Sequence, residues 1–298
     1  MTYYLSLIFA TLIWGLGFVA SRWTFMDYTP TGSNTMRFLI AGLISFPFLL
    51  FNRKYLFNKN VLFCSLFLMI GLQLQTAGIA LTTLAKSGFF TVFYALFTPL
   101  IGHFILGKKV ALLFWPILML ALFSLALIGE LKIEGFNFGD LIVLISALFF
   151  SIHILAIDRF AKGANPFYFN LGQCFYVGIF SLVYAVLTKT PLPLEPLLDL
   201  SQLTRPSSLL GFLILSVFSS ILAFMFQIVA QKKIKPHIAS LIFLLECIFA
   251  AIFGYLFFQE TLSLISIIGC ILLLISVFLV SLLEKFQMTN LKPKGSGR

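Results

Sequence analysis

Glu246 is the side chain whose position in this sequence most directly suggests chemistry. It lies in the middle of an apolar segment that runs from about 237 to 257. A charged carboxylate at the centre of a lipid bilayer costs about 3 kcal/mol or more unless it is paired, protonated or in contact with water. A carboxyl group in such a place suits a proton-coupled step. A structural hydrogen bond to a neighbouring helix is the alternative that the sequence leaves open.

Small and polar side chains recur at steps of three and four residues along six of the apolar segments. This spacing places them on one face of each predicted helix. Packing of helices through small residues explains any single face, but six faces at corresponding positions of two halves favour a central cavity. The candidates on these faces for contact with a substrate are Trp14, Gln75, Tyr94, His153, Gln227 and Glu246.

Arg37 and Pro99 are further candidates for gating or coupling, together with Glu246. Arg37 interrupts an apolar segment, where it either reaches the interface with its long side chain or pairs with a carboxylate. Pro99 removes a backbone donor from another apolar segment and so predicts a kink whose freed carbonyl faces a cavity or a gate. For His153, a packed or hydrogen-bonded neutral ring is the alternative to substrate contact.

The elements that must position these residues are strongly apolar. Hydrophobic residues make up 60% of the 298-residue chain and charged residues 10%, whereas soluble domains carry about 25% charged residues. The mean hydropathy is +1.07. About 20 apolar residues cross a bilayer as a helix, so we predict an all-α integral membrane protein with ten transmembrane helices. The apolar segments lie at about 3–23, 33–51, 61–81, 87–107, 110–129, 139–157, 167–188, 208–231, 237–257 and 262–283.

The composition also argues against several other classes of protein. The net charge of +10 arises from short basic clusters between apolar segments, a pattern of membrane topology and not of nucleic-acid binding. We find no P-loop, no cluster of aspartates for a metal-bound pyrophosphate and no HExxH motif, so we expect no catalytic residue, metal or cofactor. The four cysteines lie in different apolar segments without a CxxC or Cys/His spacing, which indicates buried thiols; they are Cys64, Cys174, Cys247 and Cys270.

The distribution of Lys and Arg predicts the orientation of the chain. With the N-terminus in the cytoplasm, fourteen basic residues lie inside and five lie outside, and Arg37 lies within a span. Basic residues are enriched in the cytoplasmic loops of membrane proteins. We therefore predict that both termini are cytoplasmic.

The chain contains a weak internal repeat. Ala10–Arg22 aligns with Ala147–Arg159 at an offset of 137, and Gln75 aligns with Gln227 at an offset of 152. Each half holds five spans, and because five is odd the second half must be inverted in the membrane, as in many secondary transporters. The predicted units are a first repeat at 1–135, a second, inverted repeat at 136–286 and a polar cytoplasmic tail at 287–298.

Several stretches resemble a known family. They are Trp14–Arg22, Arg37-Phe38, Gly71, Thr82–Phe89, Pro99-Leu100, Gly139-Asp140, Gln227, Gln231–Lys233, Ala239–Glu246 and Glu260. Together they resemble a bacterial ten-helix permease of the EamA family, in the drug/metabolite transporter superfamily. The resemblance implies a five-plus-five inverted repeat, a central cavity lined by both halves, and export or uptake of small metabolites. In one departure, Cys247 follows Glu246 where the family usually has proline, which puts the usual local kink in doubt.

The expected function is that of a secondary transporter of the bacterial inner membrane that works by alternating access. The aromatic and amide-rich faces suit an amino acid or an amino-acid-derived solute. Within the same family, an S-adenosylmethionine-like metabolite, another cofactor or a drug is the alternative substrate. Outside it, the alternatives are an intramembrane enzyme, a channel or a scaffold. The expected partners are a small-molecule substrate, the lipid bilayer, and a proton or an exchanged solute for coupling.

Overall fold

The computed structural model describes residues 2–82, 84–130, 135–198 and 206–290, and all regular structure in these ranges is helical. Ten apolar helices follow one another along the chain, and we number them α1 to α10. The first half contains α1 (Thr2–Thr24), α2 (Pro30–Leu50), α3 (Lys59–Ile79), α4 (segments Leu84–Thr91, Tyr94–Leu100 and Ile101–Ile105) and α5 (Phe114–Ile128). The second half contains α6 (Phe138–Phe160), α7 (Pro166–Leu187), α8 (segments Ser208–Leu213, Ile214–Ala223 and Phe224–Gln231), α9 (segments Pro236–Phe243 and Leu245–Phe258) and α10 (Leu264–Asn290).

Nine of these ten described helices are long and apolar enough to cross a membrane, and α5 is shorter, with 15 residues. At about 1.5 Å per residue, α5 spans only about 22 Å. It begins at Phe114 and not near residue 110 as predicted, because the chain turns first at Gly107, whose φ is 63°. At the other end, α10 continues to Asn290, so residues 287–290 of the predicted tail are helical. Residues 291–298 lie outside the described ranges.

Polar side chains cap the helices where the sequence enters an apolar run. The first N–H groups of a helix have no partner within it, and lipid offers none. Thr29 accepts from the backbone of the first turn of α2, and Asn58 does the same for α3. Asn165 caps α7, and Asn137 with Asp140 forms a reciprocal capping box at the start of α6. These caps fix where each span begins.

Helix packing follows a two-repeat scheme. The most extensive contacts join α2 with α7, α3 with α6, α1 with α8, α5 with α10, and α1 with α9. The repeat makes α1 equivalent to α6, α3 to α8 and α4 to α9. The contacts of α6 with α3 and α4 therefore correspond to the contacts of α1 with α8 and α9, and all four pairs of helices are in contact. The ten-helix, two-repeat membrane fold predicted from the sequence is therefore confirmed.

Glycine permits the closest helix contacts. A Cβ atom on Gly178 of α7 would lie 2.6 Å from the carbonyl oxygen of Phe38 in α2, and a Cβ on Gly15 of α1 would lie 2.5 Å from Phe249 Cβ in α9. Backbones that approach this closely leave no room for a side chain. Small residues thus hold α2 against α7 and α1 against α9.

The outward-facing surface of α10 is largely apolar. Most of its exposed side chains are hydrocarbon, which suits lipid contact, and Lys285 near its C-terminal end is also exposed. The exposed large apolar side chains of α10 are Leu264, Ile265, Ile267, Ile268, Ile271, Leu274, Ile275, Phe278, Leu279 and Phe286.

The connection between α1 and α2 is anchored on the longer connection that follows α7. Tyr28 is buried, and its hydroxyl donates to the carbonyl oxygen of Pro193. Burial, followed by the nearby charges of Asp27 and Glu195, raises the pKa of Tyr28 to about 12. The phenol therefore stays protonated and keeps this hydrogen bond at physiological pH.

Candidate functional site

Two helices that meet near the centre of the bundle are interrupted at matching positions. In α4 the regular pattern breaks at Val92 and Phe93, and in α9 it breaks at Leu244. Shorter-range bonds cross both breaks: Ala95 N donates to Val92 O at 2.9 Å, and Cys247 N donates to Leu244 O at 3.1 Å. Val92 and Leu244 differ by 152, the offset that also relates Gln75 to Gln227. The break in α9 is thus present without the usual proline.

Tyr94 and Glu246 follow these breaks and hydrogen-bond to each other. The Tyr94 hydroxyl donates to Glu246 Oε1 at 3.1 Å, and these two residues also differ by the offset of 152. Equivalent positions of the two halves therefore meet at the pseudo-twofold axis. Tyr94 is buried and Glu246 keeps part of its surface exposed. Within the described part of the chain, Glu246 belongs to no ion pair.

Trp14 of α1 lies between α8 and α9. Its ring makes edge-to-face contacts with Phe224 and Phe243, with centroids 5.2 Å away in each case. Its Nε1 donates to the carbonyl oxygen of Ser219 at 3.3 Å. Phe243 precedes Glu246 by three residues in α9, so Trp14 packs against the helix that carries the carboxylate.

The middle segment of α8, Ile214–Ala223, is a π-helix. In a π-helix each hydrogen bond spans five residues, and such segments are frequent at functional sites because they displace backbone groups from the α-helical pattern. Here three successive carbonyl oxygens, those of Ser219, Ser220 and Ile221, accept from side chains of other helices. The donors are Trp14 Nε1, Cys174 Sγ at 3.5 Å from Ser220 O, and Asn170, whose Nδ2 lies 3.0 Å from Ser220 O and 2.7 Å from Ile221 O.

Arg37 of α2 also contacts this π-helix. Its Nε donates to Ser220 Oγ at 2.7 Å and its Nη2 donates to Ser219 Oγ at 2.9 Å. Its own carbonyl oxygen accepts from Ser216 Oγ at 2.9 Å. Arg37 therefore pairs with no carboxylate among the described residues. Contact of its side chain with the membrane interface stays a prediction. We call Arg37, Trp14, Tyr94, Ser219 and Glu246 the central site.

The hydrogen bonds of His153, Gln227 and Gln75 do not involve the residues of the central site. His153 Nε2 lies 3.0 Å from Gln173 Oε1, so the buried ring is held by a neighbouring amide. Gln227 is buried, and its Nε2 donates to Gln231 Oε1 at 2.9 Å. Gln75 donates to Thr91 Oγ1 at 3.0 Å, which ties α3 to α4 one turn before Tyr94. A role for these three residues in binding stays a prediction.

Pro99 is buried in α4 but does not mark the break in that helix. The break precedes it at Val92 and Phe93, and a π-helical segment, Ile101–Ile105, follows it directly. Because proline has no N–H, the carbonyl four residues before it, that of Ala95, loses its helical donor. A kink at Pro99 and a role for it in gating both stay predictions.

Ion pairs that the sequence reasoning missed lie at opposite ends of the bundle. Lys108 and Lys162 lie 2.6 and 2.8 Å from the two oxygens of Asp158, which is buried. At the other end Arg22 pairs with Glu260, and both side chains are about half exposed. Lys108 and Glu260 again differ by the offset of 152. The internal repeat therefore indicates that one residue of each ion pair occupies an equivalent position in the two halves.

Within the described residues, no group of three or more histidine, cysteine, aspartate or glutamate side chains is arranged to hold a metal ion. The four cysteines are free thiols. The polar groups of the central site are thus one guanidinium, one carboxylate, a phenol, an indole and a hydroxyl. These groups bind charged and aromatic parts of small molecules.

The model of the EamA-like transporter family matches residues 1–129 and 137–282 of this chain. An uncharacterized transporter of Archaeoglobus fulgidus is 29% identical over 93% of this chain and 85% of its own length. The transporter YoaV of Bacillus subtilis, also named as uncharacterized, is 24% identical over 92% of this chain and 95% of its own. A chloroplast WAT1-related protein of Arabidopsis thaliana is 24% identical over 93% and 69%. One solved crystal structure superposes with a TM-score of 0.78 at 18% identity, over 96% of this chain and 98% of the other, and so shares the fold.

Proposed function

Because the chain belongs to the EamA-like transporter family, we propose that it is a secondary transporter of amino acids or amino-acid-derived solutes in the bacterial inner membrane. Its multi-pass membrane fold and its action as a transporter of a small molecule follow from the family. The substrate class, the membrane and the mechanism of alternating access belong to the proposal. The proposed orientation, from the positive-inside rule, has both termini in the cytoplasm.

One observation supports the substrate class most strongly. Among the described residues the one hydrogen-bond partner of Glu246 is the Tyr94 hydroxyl, from the other half, and Trp14 packs against Phe243, three residues before Glu246 in the same helix. A carboxylate beside aromatic rings binds an ammonium group through charge and through the ring faces. The same carboxylate can take up a proton when the ammonium group leaves, which provides a route for proton coupling or for exchange.

The ion pairs at the two ends of the bundle support alternating access. The carboxylate of Asp158 is buried while its partners Lys108 and Lys162 are partly exposed, and Arg22 and Glu260 are both about half exposed. We assign the two pairs to gates at the two ends of the path, and both pairs are formed in the described structure.

An S-adenosylmethionine-like solute is the second candidate. It carries the amino-acid group as well as a sulfonium, so Glu246 and Trp14 would recognise it through the same chemistry. Its adenosine group, however, requires a larger cavity than an amino acid does. The two candidate substrates therefore differ in the size of the binding cavity that they require.

Counterflow into proteoliposomes tests the proposal. Purified protein is reconstituted, and the exchange of each labelled proteinogenic amino acid and of labelled S-adenosylmethionine is compared with that in protein-free liposomes. We expect exchange of at least one amino acid well above the protein-free rate, with competition by its unlabelled form. Exchange of S-adenosylmethionine alone would favour the second candidate. If none of these solutes is exchanged, the proposed substrate class is wrong.

A further inference from the structure

The guanidinium group of Arg37 is held along only one of its edges. A guanidinium carries five N–H donors in a fixed planar fork. Nε and one N–H of Nη2 point to Ser220 and Ser219, which belong to the π-helical segment of α8. The opposite edge, formed by Nη1 and the second N–H of Nη2, makes no hydrogen bond among the described residues. Arg37 as a whole keeps part of its surface exposed.

The charge of Arg37 is also uncompensated. Arginine stays protonated in proteins, and none of the ion pairs of the described residues includes Arg37. Its nearest groups are neutral: two serine hydroxyls and the ring of Phe38, whose centroid lies 5.0 Å from Cζ. A cation placed within a membrane span costs several kcal/mol unless an anion or water accompanies it. An anionic solute group would supply that missing charge.

Ser219 connects this guanidinium to the rest of the central site. Its hydroxyl accepts from Arg37, and its carbonyl oxygen accepts from Trp14 Nε1 at 3.3 Å. The Trp14 ring also packs against Phe243, three residues before Glu246 in α9. The central site therefore holds one guanidinium and one carboxylate, neither of which belongs to an ion pair among the described residues.

We propose that Arg37 is the anion-binding subsite of the transporter and that it binds the carboxylate of the solute through the free Nη1–Nη2 edge. This inference rests on the proposed function for the amino group of the solute. The two serines orient the fork, and a carboxylate accepts two parallel N–H bonds from it. A site that binds a carboxylate through this fork discriminates against analogues without a carboxylate, because the guanidinium is then left without an anionic partner. The transporter selects acids over the corresponding amides, esters and amines.

Comparison of matched ligands on the wild-type protein tests this subsite without any substitution. The thermal unfolding of the full chain in nanodiscs is followed with each proteinogenic amino acid, its primary amide, its decarboxylated amine and its deaminated acid. We expect an amino acid to raise the melting temperature, and its amide and its amine to raise it much less at equal concentration. An equal response to the acid and the amide would overturn the proposal.

Variants of Arg37 provide the second measurement. Arg37→Gln is expected to weaken binding of the acid at least about tenfold, or about 1.4 kcal/mol, and to remove the preference for acid over amide. Arg37→Lys restores charge but not the fork, so it recovers the binding in part. Arg53→Gln, at an exposed arginine between α2 and α3, is the matched control for loss of an arginine and is expected to leave the preference intact. Unchanged affinity and preference in a folded Arg37→Gln variant would overturn the subsite.

The same ligands separate this inference from the proposed function. If deaminated acids bind and amino acids do not, and the binding needs Arg37, the subsite stands and the amino-acid function fails. If amino acids bind equally well to wild type and Arg37→Gln, the function stands and the subsite fails. If no carboxylate binds, or if inorganic phosphate produces a stronger response than every carboxylate, the assignment of a carboxylate subsite is overturned.

Discussion

At the scale of single residues, the two halves place different chemistry at equivalent positions. Tyr94 and Glu246 are related by the repeat offset of 152 and meet through a hydrogen bond at the pseudo-twofold axis. Two carboxylates so close together would repel each other, and one would have to stay protonated. A phenol opposite a carboxylate avoids that repulsion and donates a hydrogen bond to it. The fold is symmetric here, and the chemistry is not.

Removal of the Tyr94 hydroxyl is expected to impair transport while leaving the fold intact. Tyr94→Phe keeps the ring and deletes the hydrogen bond to Glu246; a hydrogen bond to a charged group contributes about 1.5–3 kcal/mol. We expect counterflow to fall by about tenfold or more. Tyr255→Phe, on the exposed surface of the same α9, is the control and should transport normally. Equal rates in both variants would show that the bond has no part in transport.

At the scale of helices, the sequence predicted where the spans lie but not how they are built inside. Apolar length and capping residues such as Asn58 and Asn137 are local signals, so the ten helices could be predicted. The π-helix Ile214–Ala223 could not, because it depends on partners from other helices, Arg37 and Asn170, which no local pattern records. For the same reason the sequence named Trp14, Tyr94 and Glu246 but missed Ser219.

Close helix contacts through glycine give a prediction at this scale. Gly178→Ala places a Cβ about where the carbonyl oxygen of Phe38 requires space, at 2.6 Å. Overpacking of this kind costs about 1–3 kcal/mol, so we expect a lower melting temperature and separation of α2 from α7. Gly88→Ala, where nothing lies within 4 Å of an added Cβ, is the matched control. If Gly178→Ala and Gly88→Ala have the same melting temperature, the packing of α2 against α7 does not depend on this contact.

At the scale of the whole molecule, the repeat relates the two ends of the bundle as well as its centre. Lys108 and Glu260 are equivalent by offset, yet they carry opposite charges, and each pairs with the end of the first helix of the other half. The equivalence of Lys108 and Glu260 could have been predicted from the offset, but their ion-pair partners Asp158 and Arg22 follow only from the packing of the helices. Two related contacts at opposite ends are what alternating access requires.

Neutralisation of the buried pair should favour opening at its end. Asp158→Asn removes the charge that holds Lys108 and Lys162 together, leaving two like charges that repel. In a background whose only cysteine is Cys174, we expect a thiol reagent added from the Asp158 side to label this buried residue several-fold faster than in the same background with Asp158. Glu260→Gln, at the exposed pair, is the matched comparison and should not increase labelling from that side. Unchanged labelling in Asp158→Asn would contradict a gate at this end.

The central claim is that solute crosses the membrane through contact with Glu246 between the two halves. Counterflow of the best amino-acid substrate into proteoliposomes, measured for Glu246→Gln across a range of pH, tests it most directly. Glu195→Gln, in an exposed connection, is the matched control. We predict that Glu246→Gln reduces exchange at least about tenfold and abolishes its pH dependence, while the control exchanges normally. If Glu246→Gln exchanges solute with the wild-type rate and pH dependence, the claim is wrong.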